Sequence, residues 1–353
     1  MKLTSLRLCL LACVFCGGVL RGAPAADFPA ADASGIGRIA AKPLFRDPVY
    51  DGAADPVVIW NRHEKKWFMF YTNRRAKAPQ TETPGVTWVH GTPIGIAESS
   101  DGGATWSYRG MAEISYGEKD YTYWAPEVVE AGGTYHMFLT IVPGIFTDWQ
   151  HPRYIIHLTS ADLLKWKYES RLPLGSDRVI DPCVLRKPDG TWRLWYNNER
   201  DNKSIYYADS PDLATWTDMG KVEGVGERPG EGPYVFHCWG KYWMLLDVWK
   251  GLGVYSSDDL THWRVQADNL LGAPGKGPQD GANGGHPGVV VSGGRAYCFY
   301  FLHPGHQGTI KPTDNVYEQR RSLIQVVELH EANGEITCDR DAPTHILLSP
   351  SAE

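Results

Sequence analysis

The segment Val179-Ile180-Asp181-Pro182-Cys183-Val184 begins the unit of sequence that decides the fold. Ten residues after Pro182 comes a second apolar and aromatic run, WRLWYN, which starts at Trp192. The turn residues Lys187-Pro188-Asp189-Gly190 lie between the two runs, so together they predict a β-hairpin. A third run, SIYYADS from Ser204, predicts a third strand and leads into the turn SPDLATW.

The same unit occurs five times along the chain. Its first run has a shared Pro-x-Val core, found in Asp55-Pro56-Val57-Val58, Ala125-Pro126-Glu127-Val128, Asp181-Pro182-Cys183-Val184, Gly232-Pro233-Tyr234-Val235 and His286-Pro287-Gly288-Val289. The second runs are WFMFYT, YHMFLT, WRLWYN, YWMLLD and YCFYFL. Four units end in a related turn, in which an Asp is followed by Trp106, Trp166, Trp216 or Trp263. Each Asp is expected to accept backbone hydrogen bonds, and each Trp to pack against its own sheet.

This repeat predicts an all-β fold, a five-bladed β-propeller. A unit of about 50 residues with three or four short strands cannot bury both of its faces alone, so neighbouring sheets must stack radially. A β-sandwich is the alternative, but it would require five coincident registers. We assign residues 45–345 to the propeller and residues 26–44 to a lead-in segment that closes the ring.

The composition agrees with this fold and limits the partners. The 353 residues include 38 Gly and 24 Pro, too many helix breakers for a helix bundle, with 14 Trp and 18 Tyr to pack on pleated surfaces. The formal net charge is −6, so a nucleic-acid partner is not expected.

Residues 1–25 are typical of a secretory signal peptide, with a short basic start, an apolar run and the small residues Ala23-Pro24-Ala25. The apolar run is too short to span a bilayer, so membrane insertion is not expected, although an uncleaved anchor is the alternative. A secreted or periplasmic protein is therefore predicted. The cysteines beyond this segment are not in CxxC spacing, which favours buried thiols over a disulfide framework, and they are Cys183, Cys238, Cys298 and Cys338.

The residues beside the five prolines are candidates for a common site. The first strand of each propeller blade lines the central channel, so equivalent positions converge at one end of it. Asp55, Asp181 and Glu231 thus bring three carboxylates together, with His286 beside them. A single Asp before a proline usually only caps a turn, but three carboxylates in one register favour acid–base chemistry. Hydrolysis of a glycosidic bond with inversion requires a base, an acid and space for water between them.

The motifs of four blades resemble those of family 43 glycoside hydrolases. The matching segments are Asp55-Pro56, Trp124-Ala125-Pro126-Glu127-Val128, Val179-Ile180-Asp181-Pro182 and Glu231-Gly232-Pro233. The resemblance covers roughly residues 45–340 and implies a secreted five-bladed hydrolase that inverts configuration while removing arabinofuranosyl, xylosyl or galactosyl residues. By position it implies Asp55 as general base, Glu231 as general acid and Asp181 as the carboxylate that orients the acid and holds its pKa high. Glu127 departs from the family, which more often has Asp there.

The resemblance also implies further binding residues. Trp124 is expected to face the sugar, and Arg321 resembles a substrate-contacting Arg of the last blade, although a surface strand position is an equal alternative. His286 is expected near the channel centre, either contacting sugar or binding a calcium or sodium ion. No cofactor is expected to be required, and the partner is an oligosaccharide or polysaccharide. Its subsites are expected to be shaped by the interblade segments 76–92, 143–153 and 272–285.

Aromatic side chains near the channel would suit the CH faces of a sugar. Trp88 and Trp249 lie in or beside segments between strands, although core packing is the ordinary role of any one Trp. His303-Pro304-Gly305-His306 has two imidazoles but no nearby carboxylate for a metal triad, so we interpret it as a loop.

Three rival functions remain from the sequence. The turn Ser99-Ser100-Asp101-Gly102-Gly103-Ala104-Thr105-Trp106 matches the Asp-box of sialidases, but these are six-bladed and only five registers occur here. A fructoside-cleaving relative is closer, because Arg178-Val179-Ile180-Asp181-Pro182 approaches an Arg-Asp-Pro motif. A non-catalytic sugar-binding propeller is the third, and the presence of all three carboxylates argues against it.

Overall fold

The computed structural model describes residues 37–306 and 315–350, and the predicted signal peptide therefore lies outside the described residues. Within these residues the chain forms five small sheets, one for each repeat unit, and the predicted all-β propeller is confirmed. The short strand β1 (Arg38–Ile39) precedes the first blade, and it belongs to the predicted lead-in segment.

The five blades follow one another along the chain. Blade 1 contains β2 (Ala53–Asn61), β3 (Lys66–Asn73), β4 (Ile94–Ser99) and β5 (Ser107–Met111). Two 3-10 helices, Gln80–Glu82 and Thr87–Val89, lie between β3 and β4. Blade 2 contains β6 (Glu113–Ser115), β7 (Thr122–Ala131), β8 (Thr134–Val142), β9 (Tyr154–Ser160) and β10 (Lys165–Arg171). Blade 3 contains β11 (Val179–Arg186), β12 (Trp192–Asn198), β13 (Ser204–Ser210) and β14 (Thr217–Lys221).

The last two blades complete the ring. Blade 4 contains β15 (Glu231–Cys238), β16 (Lys241–Asp247), β17 (Leu252–Ser257) and β18 (Arg264–Val265). Blade 5 contains β19 (Gly285–Ser292), β20 (Arg295–Leu302), β21 (Leu323–Ala332) and β22 (Glu335–Cys338), with the short helix α1 (Tyr317–Arg320) before β21. The final strand, β23 (His345–Ile346), pairs with β1. No helix among the described residues is long and apolar enough to cross a membrane.

The strand that contains the repeated proline is the inner strand of each blade, and these strands are β2, β7, β11, β15 and β19. Each of these inner strands contacts the inner strand of the next blade, and that of blade 5 contacts that of blade 1, so the ring is closed. A bridge between Phe45 and Ile324 and the pairing of β1 with β23 join the two ends of the chain. Apolar clusters fill the spaces between adjacent sheets, as expected for blades that cannot bury both faces alone.

The residue before each proline of the repeat adopts the same unusual backbone conformation. Its φ is positive in every blade, at 55° for Asp55, 44° for Ala125, 60° for Asp181, 57° for Gly232 and 32° for His286. The pairing register of the inner strand shifts at this point in all five sheets. Such bulges re-aim side chains, and a left-handed conformation in a residue other than Gly or Asn is costly and concentrates at functional sites.

The Asp turns at the outer part of the blades form as predicted. In blade 3 the Asp212 carboxylate accepts the backbone N–H groups of Ala214 and Thr215 at 2.9 and 2.7 Å. In blade 4 the Asp259 carboxylate accepts those of Thr261 and His262, both at 2.8 Å. The Trp residues that end three of these turns are buried, and they are Trp166, Trp216 and Trp263.

Side chains that follow the prolines bind the next blade in the ring. Glu127 is fully buried and accepts the N–H of Val184 through its carboxyl, 3.2 Å away. Cys183 does the same for Val235, whose N–H lies 3.1 Å from the thiol sulfur. Burial raises the pKa of Glu127 to about 8, so it is held as a neutral acid near pH 7. All four described cysteines are free thiols, and they are Cys183, Cys238, Cys298 and Cys338.

Candidate active site

A cavity of about 750 Å³ opens where the bulged ends of the inner strands meet. The three predicted catalytic carboxylates, Asp55, Asp181 and Glu231, all line it. His286 of blade 5 and Trp124 of blade 2 line it as well. The repeat register therefore brings together five of the six residues predicted for the site.

Asp55 is held between two basic side chains. Its side chain is 6% exposed, and Oδ1 accepts a hydrogen bond from Nη2 of Arg74 at 3.2 Å. Nδ1 of His286 lies 3.4 Å from the same oxygen. Arg74 is positioned in turn by His303, whose Nε2 is 3.2 Å from Nη1. Burial and the charge of Arg74 hold the pKa of His303 well below its ordinary value, so the neutral imidazole accepts this bond.

Asp181 is fixed by hydrogen bonds to the blades on either side of it. Its Oδ2 accepts the backbone N–H of Gly232 at 2.9 Å, and its own N–H donates to Oγ1 of Thr140 at 3.1 Å. Burial raises the pKa of Asp181 to about 7, with His286 opposing this shift and the charges of Glu231 and Asp55 adding to it. Near neutral pH Asp181 is therefore partly protonated.

Glu231 has an environment different from the one expected of a general acid. Burial alone would raise its pKa, but the ammonium of Lys203, 2.7 Å from Oε2, and the indole N–H of Trp249, 3.2 Å from Oε1, hold the pKa below its ordinary value. The structure thus gives Glu231 a lowered pKa where the sequence predicted a high one. The physical reason is Lys203, which the motif comparison did not include.

The position of Glu231, one residue before the register of the other carboxylates, has a steric reason. The left-handed residue of blade 4 is Gly232, and a Cβ there would lie 2.8 Å from the ring of His286. A side chain at this position would therefore displace His286, which contacts Asp55.

Sequence reasoning missed a fourth carboxyl group, Asp247, at the end of β16. It pairs across the strands with Glu231, and its Oδ2 accepts the backbone N–H of His286 at 3.0 Å. Burial, followed by the charge of Glu231, raises the pKa of Asp247 to about 7. The signal was present in the second runs, because Thr72 and Thr140 occupy the equivalent position in blades 1 and 2 and bind the next blade in the same way. The hydroxyl of Thr is enough to accept this backbone N–H in blades 1 and 2. The carboxyl group of Asp247 in the same position therefore indicates a role beyond joining the blades.

A basic wall, defined here as Arg153, Arg178, Glu199 and Lys203, forms one side of the cavity and was also missed. Glu199 lies 2.8 Å from Nε of Arg153, 3.2 Å from Nζ of Lys203 and 4.0 Å from Nε of Arg178. No single motif contains these residues. Arg153 lies just before β9 and Arg178 just before β11, whereas Glu199 and Lys203 lie in the turn between β12 and β13.

Aromatic side chains surround the mouth of the cavity. Trp149 and Trp249 are 46% and 47% exposed, whereas Trp124 is only 8% exposed and donates its indole N–H to the carbonyl of Val89 at 2.7 Å. Trp88 also lines the cavity. The three segments expected to shape the subsites each contribute lining residues, among them Trp88, Trp149 and Asn283. Exposed indole faces of this kind suit the CH faces of sugars.

Arg321 is the predicted site residue that the structure does not bring to the cavity lining. Its guanidinium instead donates to Glu318 at 2.6 Å and to Gln279 at 2.8 Å. For the predicted channel ion, His286 has one carboxylate within reach, Asp55, and no group of three or more ligating side chains occurs within residues 37–306 and 315–350. These side chains alone do not form a metal site, and the ion stays a prediction.

The chain has the fold of solved family 43 glycoside hydrolases. A thermostable family 43 glycoside hydrolase superposes with a TM-score of 0.59 at 20% identity, covering 87% of this chain and 98% of that one. A family 43 β-1,3-galactosidase with galactodeoxynojirimycin gives 0.60 at 15% identity, covering 85% and 98%. A family 43 β-xylosidase/α-arabinofuranosidase from a compost metagenome, in complex with xylotriose, gives 0.58 at 16%, covering 85% and 97%. The predicted resemblance is confirmed at the level of fold.

Similarity in sequence is more limited. No protein-family model matches the chain. An uncharacterized protein of Mycobacterium tuberculosis (strain CDC 1551 / Oshkosh) is 31% identical over 175 residues, which is 45% of this chain and 57% of that protein. A probable sucrose-6-phosphate hydrolase of Vibrio cholerae is 29% identical over 161 residues, or 40% and 29%. The chain thus spans little more than half of the first relative and less than a third of the second.

Proposed function

We propose that the protein is a glycoside hydrolase that cleaves arabinofuranosyl, xylosyl or galactosyl residues from oligosaccharides or polysaccharides by single-displacement inversion. The observation that carries this proposal is the set of three carboxylates, Asp55, Asp181 and Glu231, on three blades around one cavity. Such a set supplies a base, an acid and a third group to tune them. The fold shared with family 43 hydrolases supports the proposal.

In this proposal Asp55 is the general base. It lines the cavity, and the guanidinium of Arg74 fixes one of its oxygens through a charge-assisted hydrogen bond. The group is therefore positioned to take a proton from a water molecule that attacks the anomeric carbon. His286, 3.4 Å from the same carboxylate, stabilises its orientation and faces the bound sugar.

Glu231 is the proposed general acid, and its proton comes from within the site. Two neighbouring carboxyl groups, Asp181 and Asp247, have pKa values raised to about 7 and hold protons at neutral pH. Glu231 pairs across the strands with Asp247. A substrate that draws Lys203 away from Glu231 leaves this carboxylate as the favoured site for the shared proton.

Hydrolysis assays with matched variants test the proposal. Asp55→Asn and Glu231→Gln should each abolish most of the hydrolysis of aryl pentosides and galactofuranosides, while Asp120→Asn and Glu113→Gln, exposed residues away from the cavity, should not. Proton NMR of the first-formed anomer distinguishes inversion from retention. A wild-type protein that binds glycans but hydrolyses none would identify a sugar-binding propeller instead.

Export and independence from cofactors are also proposed. A signal peptide over residues 1–25 predicts a mature protein that begins shortly after Ala25. Mass spectrometry of the exported protein can determine this amino terminus. Full hydrolytic activity after dialysis against EDTA in a sodium-free buffer is expected if no ion is required, and a loss that added calcium or sodium restores would show that the ion takes part.

A fructoside-cleaving enzyme is the second candidate. The observation in its favour is the sequence similarity to probable sucrose-6-phosphate hydrolases of Vibrio cholerae. Release of fructose from sucrose or sucrose 6-phosphate, without cleavage of pentosides, would establish this alternative. The sialidase alternative fails on the number of blades, which is five rather than six.

A further inference from the structure

The basic wall of the cavity has more positive than negative charge. Arg153, Arg178 and Lys203 all share the carboxylate of Glu199, and Lys203 alone also binds Glu231. Three cationic side chains are therefore neutralised by only two carboxylates, those of Glu199 and Glu231. This arrangement is separate from the Asp55 side of the cavity, where one Arg is matched with one Asp.

Arg178 has hydrogen-bonding capacity that the protein does not use. Its Nη1 donates to Oε1 of Gln150 at 3.0 Å, but its Nε is buried and, at 4.0 Å from Glu199, beyond hydrogen-bond distance. The residue is 9% exposed and lines the cavity. Buried guanidinium N–H groups without a hydrogen-bond partner are costly, and Nε of Arg153 is a second one in the same wall. Because both arginines line the cavity, a ligand oxygen at this wall can complete their bonding.

The other carboxylates near the wall do not supply the missing charge. Asp177, although close enough to feel the charge of Arg178, is bound by Arg200 at 2.8 Å and is about half exposed. Asp148 is exposed and lies against His151. Asp181 and Asp247 are held largely as neutral acids below about pH 7.

A purely structural role does not account for two arginines at this place. The backbones of Arg153 and Arg178 pair as an isolated parallel bridge, which sets two like charges side by side. Arg153 joins blades 2 and 3 through Glu199 and Arg178 joins them through Gln150, but the second guanidinium also adds repulsion. Burial lowers the pKa of Arg153, and the neighbouring Arg178 adds to this, while Glu199, Asp181 and Glu231 oppose it.

We infer that the basic wall binds an anionic substituent of the substrate, a uronate carboxylate or a sugar phosphate, and that Arg178 is the residue that recognises it. The guanidinium fork matches the two oxygens of a carboxylate or phosphate, and partial burial strengthens such a bond. The inference rests on the proposed function for the position of the sugar, but it concerns binding and can be tested without hydrolysis.

Calorimetric titration of anionic sugars and their neutral counterparts tests this inference. The pairs are trigalacturonate with galactotriose, and sucrose 6-phosphate with sucrose, each titrated into the wild-type protein at 20 mM and 500 mM NaCl. We expect one anionic sugar to bind about ten- to a hundredfold more tightly than its neutral partner at low salt, with a smaller ratio at high salt. Which pair shows the preference distinguishes a carboxylate from a phosphate.

Variants of Arg178 locate the effect. Arg178→Gln should bring the anionic-to-neutral ratio close to one, and Arg178→Lys, which keeps the charge but loses the fork, should retain part of it. Arg186→Gln, an exposed Arg at the other end of β11, is the matched control and should keep the wild-type ratio. Thermal unfolding of each variant verifies that it is folded.

Equal affinity of the wild-type protein for both members of each pair overturns the inference, and so does a preference that Arg178→Gln and Arg178→Lys leave intact. These results are independent of the proposed function. Cleavage of neutral glycosides without any preference for anionic sugars would support the proposed function and contradict the inference. A preference for anionic sugars without any hydrolysis would support the inference and contradict the proposed function.

Discussion

Two positions recur with the blades, one in the outer turns and one in the inner bulges, and they differ in what the repeat keeps constant. The turns after the third strands keep the side chain, since Asp101, Asp162, Asp212 and Asp259 all accept bonds from their own turns. The bulges before the prolines keep the backbone conformation but vary the residue, which is Asp, Ala, Asp, Gly or His. A repeated side chain maintains the fold, whereas a repeated backbone with varied side chains builds an asymmetric site.

The titration of the carboxylates at these two positions differs in the same way. Backbone hydrogen bonds from their own turns lower the pKa of Asp212 and Asp259, so these turns favour the ionised form. Burial raises the pKa of Asp181 to about 7, so the inner site disfavours it. Asp212 and Asp259 therefore contribute stability when ionised, whereas ionisation of Asp181 or Asp247 in the site costs stability.

Replacing Asp55 should have the largest effect. Asp55→Asn removes the proposed base while keeping a side chain of the same shape beside Arg74, and we expect kcat to fall by about 10³- to 10⁴-fold. Initial rates on an aryl pentoside measure this. An activity within a few-fold of the wild type would remove Asp55 from the mechanism, and Asp120→Asn serves as the control.

Replacing Glu231 should have an effect that depends on the leaving group. Glu231→Gln cannot donate a proton, so we expect a loss of about 10²- to 10³-fold on a glycoside with a poorly acidic aglycone and a much smaller loss with dinitrophenol. Rates on a series of aryl glycosides measure the dependence. Equal losses across the series would assign the acid role to another residue, with Asp247 the first to examine.

The pH dependence of catalysis should report the shared proton. Because Asp181 and Asp247 release protons near pH 7, we expect kcat/KM to fall several-fold as the pH rises through about 7. Lys203→Met removes the ammonium that lowers the pKa of Glu231, so the alkaline limb should move to higher pH. A limb that stays in place would show that Glu231 does not carry the titrating proton.

The contribution of Asp181 to the free energy of unfolding should change with pH in the opposite direction to that of the turn carboxylates. Folded Asp181 keeps its proton up to about pH 7, whereas the unfolded chain releases it near 3.8. The unfolded state binds fewer protons between these values, so the free energy of unfolding falls as the pH rises through this window. Asp181→Asn, which still accepts from Gly232, should therefore raise Tm by a few degrees at pH 8 and change it little at pH 4. A similar Tm gain at both pH values would contradict the raised pKa.

Replacing a turn carboxylate should have the smallest effect. Asp212→Ala removes the acceptor for two backbone N–H groups, and we expect Tm to fall by about 2–4 °C with kcat unchanged. Differential scanning calorimetry and initial rates measure both quantities. A loss of activity without a loss of Tm would show that the two regions are not separate.

The sequence predicted the fold because the repeat is visible in its prolines and aromatic runs. It also predicted that Asp55, Asp181, Glu231, Trp124 and His286 share a cavity, because equivalent positions in a closed ring must converge. It could not predict the basic wall, since Arg153, Arg178 and Glu199 become neighbours only where two blades meet. The pKa of Glu231 was predicted with the wrong sign, because it depends on Lys203, which is 28 residues away in the sequence. Arg321 was assigned from a motif in a strand, and its contacts are set by Glu318 and Gln279.

The pairing of β1 with β23 has a consequence for how the chain reaches its folded state. The contact between His345 and Gly37 spans 308 residues of sequence, so this contact cannot form until His345 has been synthesised. Contacts of such long range are slow to form, and a partly made chain leaves the apolar faces of its first and last sheets exposed to other chains. Closure of the ring is therefore expected to be the late step in folding, and the one during which aggregation competes with it.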